Sequence, residues 1–178
     1  MPNKYKAVFG HFNFEQVYED EVKKANNGAK FLEIGCYLGR STIYLAELIK
    51  ESGKEIKIHV IDTFIGEGNT VDEEIFIDKF KENIRKCGVE DVIEIHHGTS
   101  DEMVTEFEDG FFDFIYVDGL HTYDGVKSDI NNYLPKIKND KIFAGHDYQY
   151  DPVRSAVDDV LGPDNLNFYI NTWKYHVS

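Results

Sequence analysis

The chain has 178 residues, 33 acidic against 19 basic side chains, and a formal charge of −14 with histidine neutral. Leu, Ile, Val and Phe supply about 29% of it, above the roughly 20% below which charged chains stay disordered, so one globular domain over residues 1–178 is expected. The negative charge repels phosphate backbones and anionic lipid, and no Lys/Arg run of five offers a local exception, which argues against duplex nucleic acid and membrane surfaces as partners.

The start, Met1-Pro2-Asn3-Lys4, leads into no signal-type apolar stretch, and no run approaches the roughly 20 apolar residues of a membrane span. A cytoplasmic protein is expected. Phe14, Val17, Tyr18, Val22 and Ala25 recur at helical spacing, predicting a leading helix over 13–25 that stops at Asn26-Asn27-Gly28 and precedes a core over 29–178. Residues 29–35 read as a short apolar strand and 41–50 as a helix apolar nearly all round, hence buried. A β-branched strand follows at 56–61, then a glycine-containing loop at 65–70 and an amphipathic helix over 71–87. A third strand is predicted at 92–96 and a short helix at 101–106. Residues 112–117 are apolar on both faces, which marks a central strand of a covered sheet. A helix over 126–134 ends before Pro135, a fifth strand occupies 141–144, and Asp151-Pro152 opens a helix to 161. The tail, 165–177, offers two short strands turning near Asn171. Cys36 and Cys87 lack any Cys-x-x-Cys spacing and read as small buried hydrophobes.

Strands alternating with helices predict a mostly parallel, doubly wound α/β sheet, in which ligands bind beyond the carboxyl ends of the strands. After the first strand stands Glu33-Ile34-Gly35-Cys36-Tyr37-Leu38-Gly39-Arg40-Ser41-Thr42. Gly35 and Gly39 allow a tight turn, and Ser41 opens a helix with free N–H groups. The spacing is Gly-x-x-x-Gly, without the second glycine that faces a pyrophosphate in dinucleotide folds. Glu33 beside it favours a ligand carrying an ammonium and a sulfonium over a diphosphate. Asp62, 23 residues past Gly39, stands near the offset at which an acid grasps ribose hydroxyls. His96-His97-Gly98-Thr99-Ser100-Asp101 could meet an adenine edge or supply a helix cap. The fourth strand runs into Asp118-Gly119-Leu120-His121-Thr122-Tyr123-Asp124-Gly125 and the fifth into Gly145-His146-Asp147-Tyr148, so Asp118 and Asp147 could reach one hard cation, Mg²⁺ rather than zinc, or one substrate hydroxyl.

These motifs resemble class I S-adenosylmethionine-dependent methyltransferases, in particular the small branch related to macrocin-type O-methyltransferases and cephalosporin-hydroxylase-like proteins. The resemblance covers about 29–161. It implies a Rossmann-like three-layer α/β/α sandwich with a seven-stranded, mostly parallel sheet and a C-terminal antiparallel hairpin. It also implies that Glu33, Gly35, Gly39 and Ser41 surround the methionine part of the cofactor, Asp62 the ribose and Ser100 the adenine, with Asp118 beside them. Asp118 and Asp147 stand where metal-dependent relatives keep carboxylate ligands, and His121 where a base could approach the acceptor. Leu120 and His146 depart from the family pattern.

The expected activity is O-methylation of a small hydroxylated acceptor, a sugar by family analogy. Asp118 and Asp147 would position Mg²⁺ or the hydroxyl while His121 accepts its proton. Two rivals remain open: a nicotinamide-dependent oxidoreductase, and a non-catalytic subunit that binds S-adenosylmethionine. A core with no inserted substrate domain could form a homodimer to wall its pocket.

Overall fold

Apolar periods that switch between 2 and 3.6 residues dictate strands packed between helices. The computed structural model describes residues 2–65 and 73–178, the side chains of 73–75 excepted, and has that arrangement. In chain order the elements are α1 (Glu15–Lys24), β1 (Ala29–Ile34), α2 (Arg40–Ser52), β2 (Ile56–Asp62), α3 (Glu73–Cys87), β3 (Ile93–His97) and α4 (Ser100–Met103). Then follow β4 (Phe112–Val117), α5 (Tyr123–Tyr133), β5 (Ile137–Gly145), α6 (Asp151–Leu161), β6 (Leu166–Tyr169) and β7 (Thr172–His176).

The strands form one sheet in the order β3-β2-β1-β4-β5-β7-β6. The first five are parallel, and β7 lies antiparallel between β5 and β6. The expected seven-stranded α/β sandwich with its terminal hairpin is therefore present. Alternation splits the core in two. Phe31, Ile58, Val60, Phe114 and Tyr116 pack with Tyr18, Ile43 and Phe80 on the face covered by α1, α2 and α3. Leu32, Ile34, Ile61, Ile115 and Val117 pack with Val126, Ile130 and Val157 on the face covered by α5 and α6. Phe14, Phe31 and Phe114 are essentially unexposed, and such burial is worth roughly 2–3 kcal/mol per side chain before conformational entropy is subtracted. Cys36 and Cys87 are buried free thiols, as their spacing implied.

Several boundaries differ from the sequence reading for local reasons. β5 starts at Ile137, not 141: the polar stretch Lys138-Asn139-Asp140 hides the strand, Asp140 adopts φ +58°, and the register against β4 shifts between Phe112 and Phe114. α5 starts at Tyr123 because Thr122 caps it, its Oγ1 accepting from the Gly125 N–H at 3.2 Å. The helix expected over 101–106 is a single α turn, α4, followed by a 3₁₀ turn over Val104–Glu106. Ahead of α1, the chain makes an unanticipated 3₁₀ turn at Lys4–Ala7. It is fastened by the Lys4 and Tyr5 N–H groups donating to Glu47 and by Tyr5 packing edge-on against Tyr44 at 4.9 Å. Most of the loop expected over 65–70, and Val71 and Asp72 of the next predicted helix, lie outside the described residues. Among the described residues no helix is long and apolar enough to cross a membrane.

Candidate active site

Strand order reverses between β1 and β4, where the crossover helices go to opposite faces and leave the strand ends uncovered. A cleft of about 850 Å³ opens there. Its floor is set by backbone. Gly35 takes φ +82°, and a Cβ at that position would lie 2.1 Å from the Asp118 carbonyl oxygen, so only glycine lets the β1 and β4 ends approach this closely. The Gly35 N–H donates to the Ile61 carbonyl at 2.9 Å and the Asp118 N–H to the Ile34 carbonyl at 2.8 Å, tying three strand ends together.

Asp62 braces the turn after β1. Its Oδ2 accepts from the Cys36 and Tyr37 N–H groups at 2.8 and 2.9 Å, and its Oδ1 from the Phe64 N–H at 2.6 Å. Two oxygens offer about four lone-pair positions, so one acceptor position is left for a ligand hydroxyl. Tyr37, Phe64 and Asp147, all at strand ends around the cleft, hold positive φ of 48°, 55° and 60°. Such strained backbone in non-glycine residues concentrates at functional sites.

Of the residues that the motifs single out, Gly35, Ser41, Asp62, Ser100, Asp118, His121 and Asp147 line the cleft. Gly39 and Glu33 do not. Gly39 is the left-handed residue that opens α2 at φ +87°. Glu33 is 1% exposed and lies behind the lining, accepting from Tyr18 Oη at 3.0 Å, from Ser41 Oγ at 2.5 Å, and from Thr42 Oγ1. Burial pushes its carboxyl up to about 7, against the lowering pull of those three hydroxyls. Its place is that of a pin joining α1 and α2 to β1.

At the far end of the cleft three side chains converge. His121 Nε2 lies 2.7 Å from Asp147 Oδ2 and 3.6 Å from Asp118 Oδ1. The Asp118 and Asp147 carboxylates hold the imidazole up to about 10, so at neutral pH it carries its proton. Burial pushes Asp147 up, but the bonds from His121, His146 and Gln149 outweigh it and hold the carboxyl below the usual carboxylate range. His146 completes the group, with Nδ1 3.2 Å from Asp147 Oδ1 and Nε2 2.9 Å from Asn13 Oδ1. One ligand atom each from Asp118, His121 and Asp147 fall within 4.8 Å of one another, close enough for a single metal ion.

Of the lining residues that had not been singled out as functional, two stand out. Asp129 is 3% exposed, and burial pushes its carboxyl up to about 6 against a bond from Ser100. The signal was present: with Val126, Ile130 and Tyr133 it falls on the apolar face of α5, where a lone acid is out of pattern. Arg40 is the other, its guanidinium donating to the Val8 carbonyl at 3.0 Å. Of the aromatic residues flanking the motifs, Tyr37 and Tyr150 are exposed lining residues of the cleft, as is Leu120 at 69% exposure. Phe64 is buried, while Tyr123 and Tyr148 bond to Asp159 and Asp158.

Among the described lining residues five aspartates, 62, 101, 118, 129 and 147, face one arginine, Arg40, and the protonated His121. Such a lining suits a ligand of net positive charge and repels a dinucleotide diphosphate.

Comparison with known proteins agrees with this geometry. A family model described as "Methyltransferase domain" matches residues 32–148. The protein y4gI of Sinorhizobium fredii (strain NBRC 101917 / NGR234), described as uncharacterized, is 24% identical over 120 residues, which make up 66% of this chain and only 13% of that much longer relative. Solved structures share the fold at low identity. The O-methyltransferase NovP superposes with a TM-score of 0.73 at 15% identity, covering 92% of this chain and 79% of that one. The O-methyltransferase TomG from Streptomyces achromogenes, solved with S-adenosylmethionine, gives 0.68 at 13% identity over 99% and 87%. CalS11, a TDP-rhamnose 3'-O-methyltransferase, gives 0.62 at 16% identity over 91% and 76%. The glycine-turn floor, the acid-lined cleft and the family match lie on the same stretch of sequence, and the chain belongs to the methyltransferase-domain family.

Proposed function

We propose that this domain transfers a methyl group from S-adenosylmethionine to a hydroxyl oxygen of a small acceptor. The observation that carries the reading is the cleft lining of five aspartates against Arg40 and the protonated His121, which runs from the glycine turn after β1 to the Asp118–His121–Asp147 group. S-adenosylmethionine supplies the methyl on a positively charged sulfur. Asp62 has an acceptor position open for a ribose hydroxyl, and Ser100 and Asp101 stand at the side where an adenine edge would lie. The same lining disfavours the nicotinamide alternative, whose pyrophosphate would meet carboxylates.

Methyl transfer to oxygen is an in-line displacement, so the protein must hold the hydroxyl about 3 Å from the methyl carbon and keep water away. The exposed faces of Leu120 and Tyr150 next to His121 give an apolar rim against which a sugar or aromatic ring can lie. A sugar acceptor is supported by the likeness in fold to CalS11.

The two carboxylates and the imidazole also suit a divalent cation, with Asp118 and Asp147 as its ligands. Bound there, Mg²⁺ would lower the pKa of a hydroxyl beside it. With both carboxylates turned to such an ion, their hold on the His121 proton would weaken, and Nε2 would be the group to accept the proton of the hydroxyl.

Calorimetry with S-adenosylhomocysteine and NADH tests the cofactor: heat with the first, none with the second, and at least tenfold weaker binding for Asp62→Ala. Binding without turnover in a broad acceptor screen would favour the non-catalytic alternative. Full turnover by His121→Ala from pH 6 to 9 would remove the base role, and activity unaffected by EDTA would remove the metal.

A further inference from the structure

Two groups of metal-type donors exist among the described residues, and the second lies outside the cleft, on the sheet edge. β2 and β3 run parallel with His59 opposite Glu94 and Ile61 opposite His96, so the two histidines lie on one face, two residues apart along the sheet. His59 Nδ1 and His96 Nε2 face each other at 3.0 Å. A Glu94 carboxylate oxygen stands 3.9 Å from the first and the other 3.8 Å from the second. None of the three lines the methyl-transfer cleft.

The surroundings fix the donors. Phe107, Phe111 and Phe112 stand edge-on to the His59 ring at 5.5–5.7 Å, holding it in place. His96 Nδ1 lies 2.6 Å from Glu106 Oε2. A carboxylate can only accept, so His96 Nδ1 donates to it, and His96 Nε2 can offer its lone pair to the His59 Nδ1–H or, once that proton has left or moved to His59 Nε2, to an ion that both nitrogens share. A carboxylate behind a histidine in this way orients the ring and raises its basicity toward a metal on the other nitrogen. The His59 and His96 side chains are 6% and 10% exposed, and Glu94, at 53%, forms the open wall through which an ion could enter.

Distances argue for the size and kind of ion. Tetrahedral coordination at about 2.0–2.1 Å separates neighbouring ligand atoms by about 3.3 Å. The two ring nitrogens stand 3.0 Å apart and each has a different Glu94 oxygen at 3.8 or 3.9 Å, so a small rotation that brings one of those oxygens toward both nitrogens completes the site. Two imidazoles and one carboxylate are donors for a borderline d-block cation; magnesium and calcium prefer all-oxygen sets.

We propose that His59 Nδ1, His96 Nε2 and a Glu94 carboxylate oxygen bind a divalent cation of the zinc class, with Glu106 orienting His96 and the fourth position left to solvent. The ion clamps β3, which among the described residues is an edge strand paired with β2, immediately before the Gly98–Ser100 turn that enters the cleft. This site is independent of the methyl-transfer reading.

The test uses the full chain, stripped with EDTA, carrying Asp147→Asn to disable the metal-type group in the cleft. Equilibrium dialysis with Zn²⁺ and metal analysis give the stoichiometry, and X-ray absorption at the zinc edge gives the ligands. The expected result is one zinc per chain with two imidazoles in its shell, and a raised melting temperature. In that background Glu106→Gln weakens binding by about 10- to 100-fold, and Glu94→Ala and His96→Gln by at least tenfold. Glu94 is exposed, so Glu94→Ala decides the matter if His96→Gln fails to fold. No zinc in the Asp147→Asn chain, or zinc binding indifferent to Glu94→Ala, would overturn the proposal.

Discussion

Between two carboxylates His121 is a bound cation, and folding stability carries the mark of it. Its pKa is raised to about 10 from an ordinary value of 6.5, with Asp118 and then Asp147 as the causes. A raised folded-state value means that the stabilisation is complete below about pH 6.5 and is lost as pH climbs through about 10. The side chain is 38% exposed, so solvent screening limits the effect to about 1 kcal/mol, or about 2–4 °C in melting temperature for a chain of this size. EDTA-treated protein should melt lower at pH 10.5 than at pH 7, and His121→Asn should lack that step. Glu33 obeys the same sign for the opposite chemical reason. Burial raises its carboxyl to about 7, so the ionised form is the costly one, and its contribution, full below about pH 4.5, fades as pH rises through 7. Glu33→Gln keeps an acceptor for Tyr18 and Ser41 and should fold, lose that slope in its pH-stability profile, and retain affinity for S-adenosylhomocysteine. Glu33→Ala strands three buried hydroxyls and should cost about 3 kcal/mol. A large loss of cofactor affinity in a well-folded Glu33→Gln would instead restore the direct cofactor contact that the motif implied.

Elements were legible where their periodicity was clean and obscured where a cap or a polar run interrupted it. α2 and β4 could be read from apolar pattern alone. α5 could not be started correctly, because Gly125 in its first turn looks like a break until the Thr122 cap is seen to accept from that same N–H. β5 could not, because Lys138 and Lys141 reach across to the Asp113 carboxylate and make an edge-like polar sequence compatible with a strand inside the sheet. The join between β1 and β4 allows a sharp test. Gly35→Ala places a methyl group against the Asp118 carbonyl at a φ that alanine avoids, so it should cost 3 kcal/mol or more and remove cofactor binding. Urea denaturation beside calorimetry would measure both; unchanged stability would mean that the strand ends can part without cost.

The whole molecule carries −14 charges, and its cleft concentrates five carboxylates. S-adenosylmethionine bears one positive charge more than S-adenosylhomocysteine, so its affinity should fall more steeply with salt. Between about 0.01 and 1 M the Debye length drops from about 30 to about 3 Å, which spans the range in which the field of the cleft is screened. Parallel salt slopes for the two ligands would show that the acids do not sense the sulfonium.

The sequence by itself determined the alternation of strands and helices, the glycine turn after the first strand, and the acids and histidines at successive strand ends, because each is encoded in neighbouring residues. Tertiary structure alone decided which of those residues meet. Asp147 reaches His121 only because β4 and β5 are adjacent, His59 meets Glu94 and His96 only through the register of β2 on β3, and Glu33 turns inward because hydroxyls from two helices arrive there together. Strand register and burial are set by contacts between distant parts of the chain, and a local pattern carries no record of them.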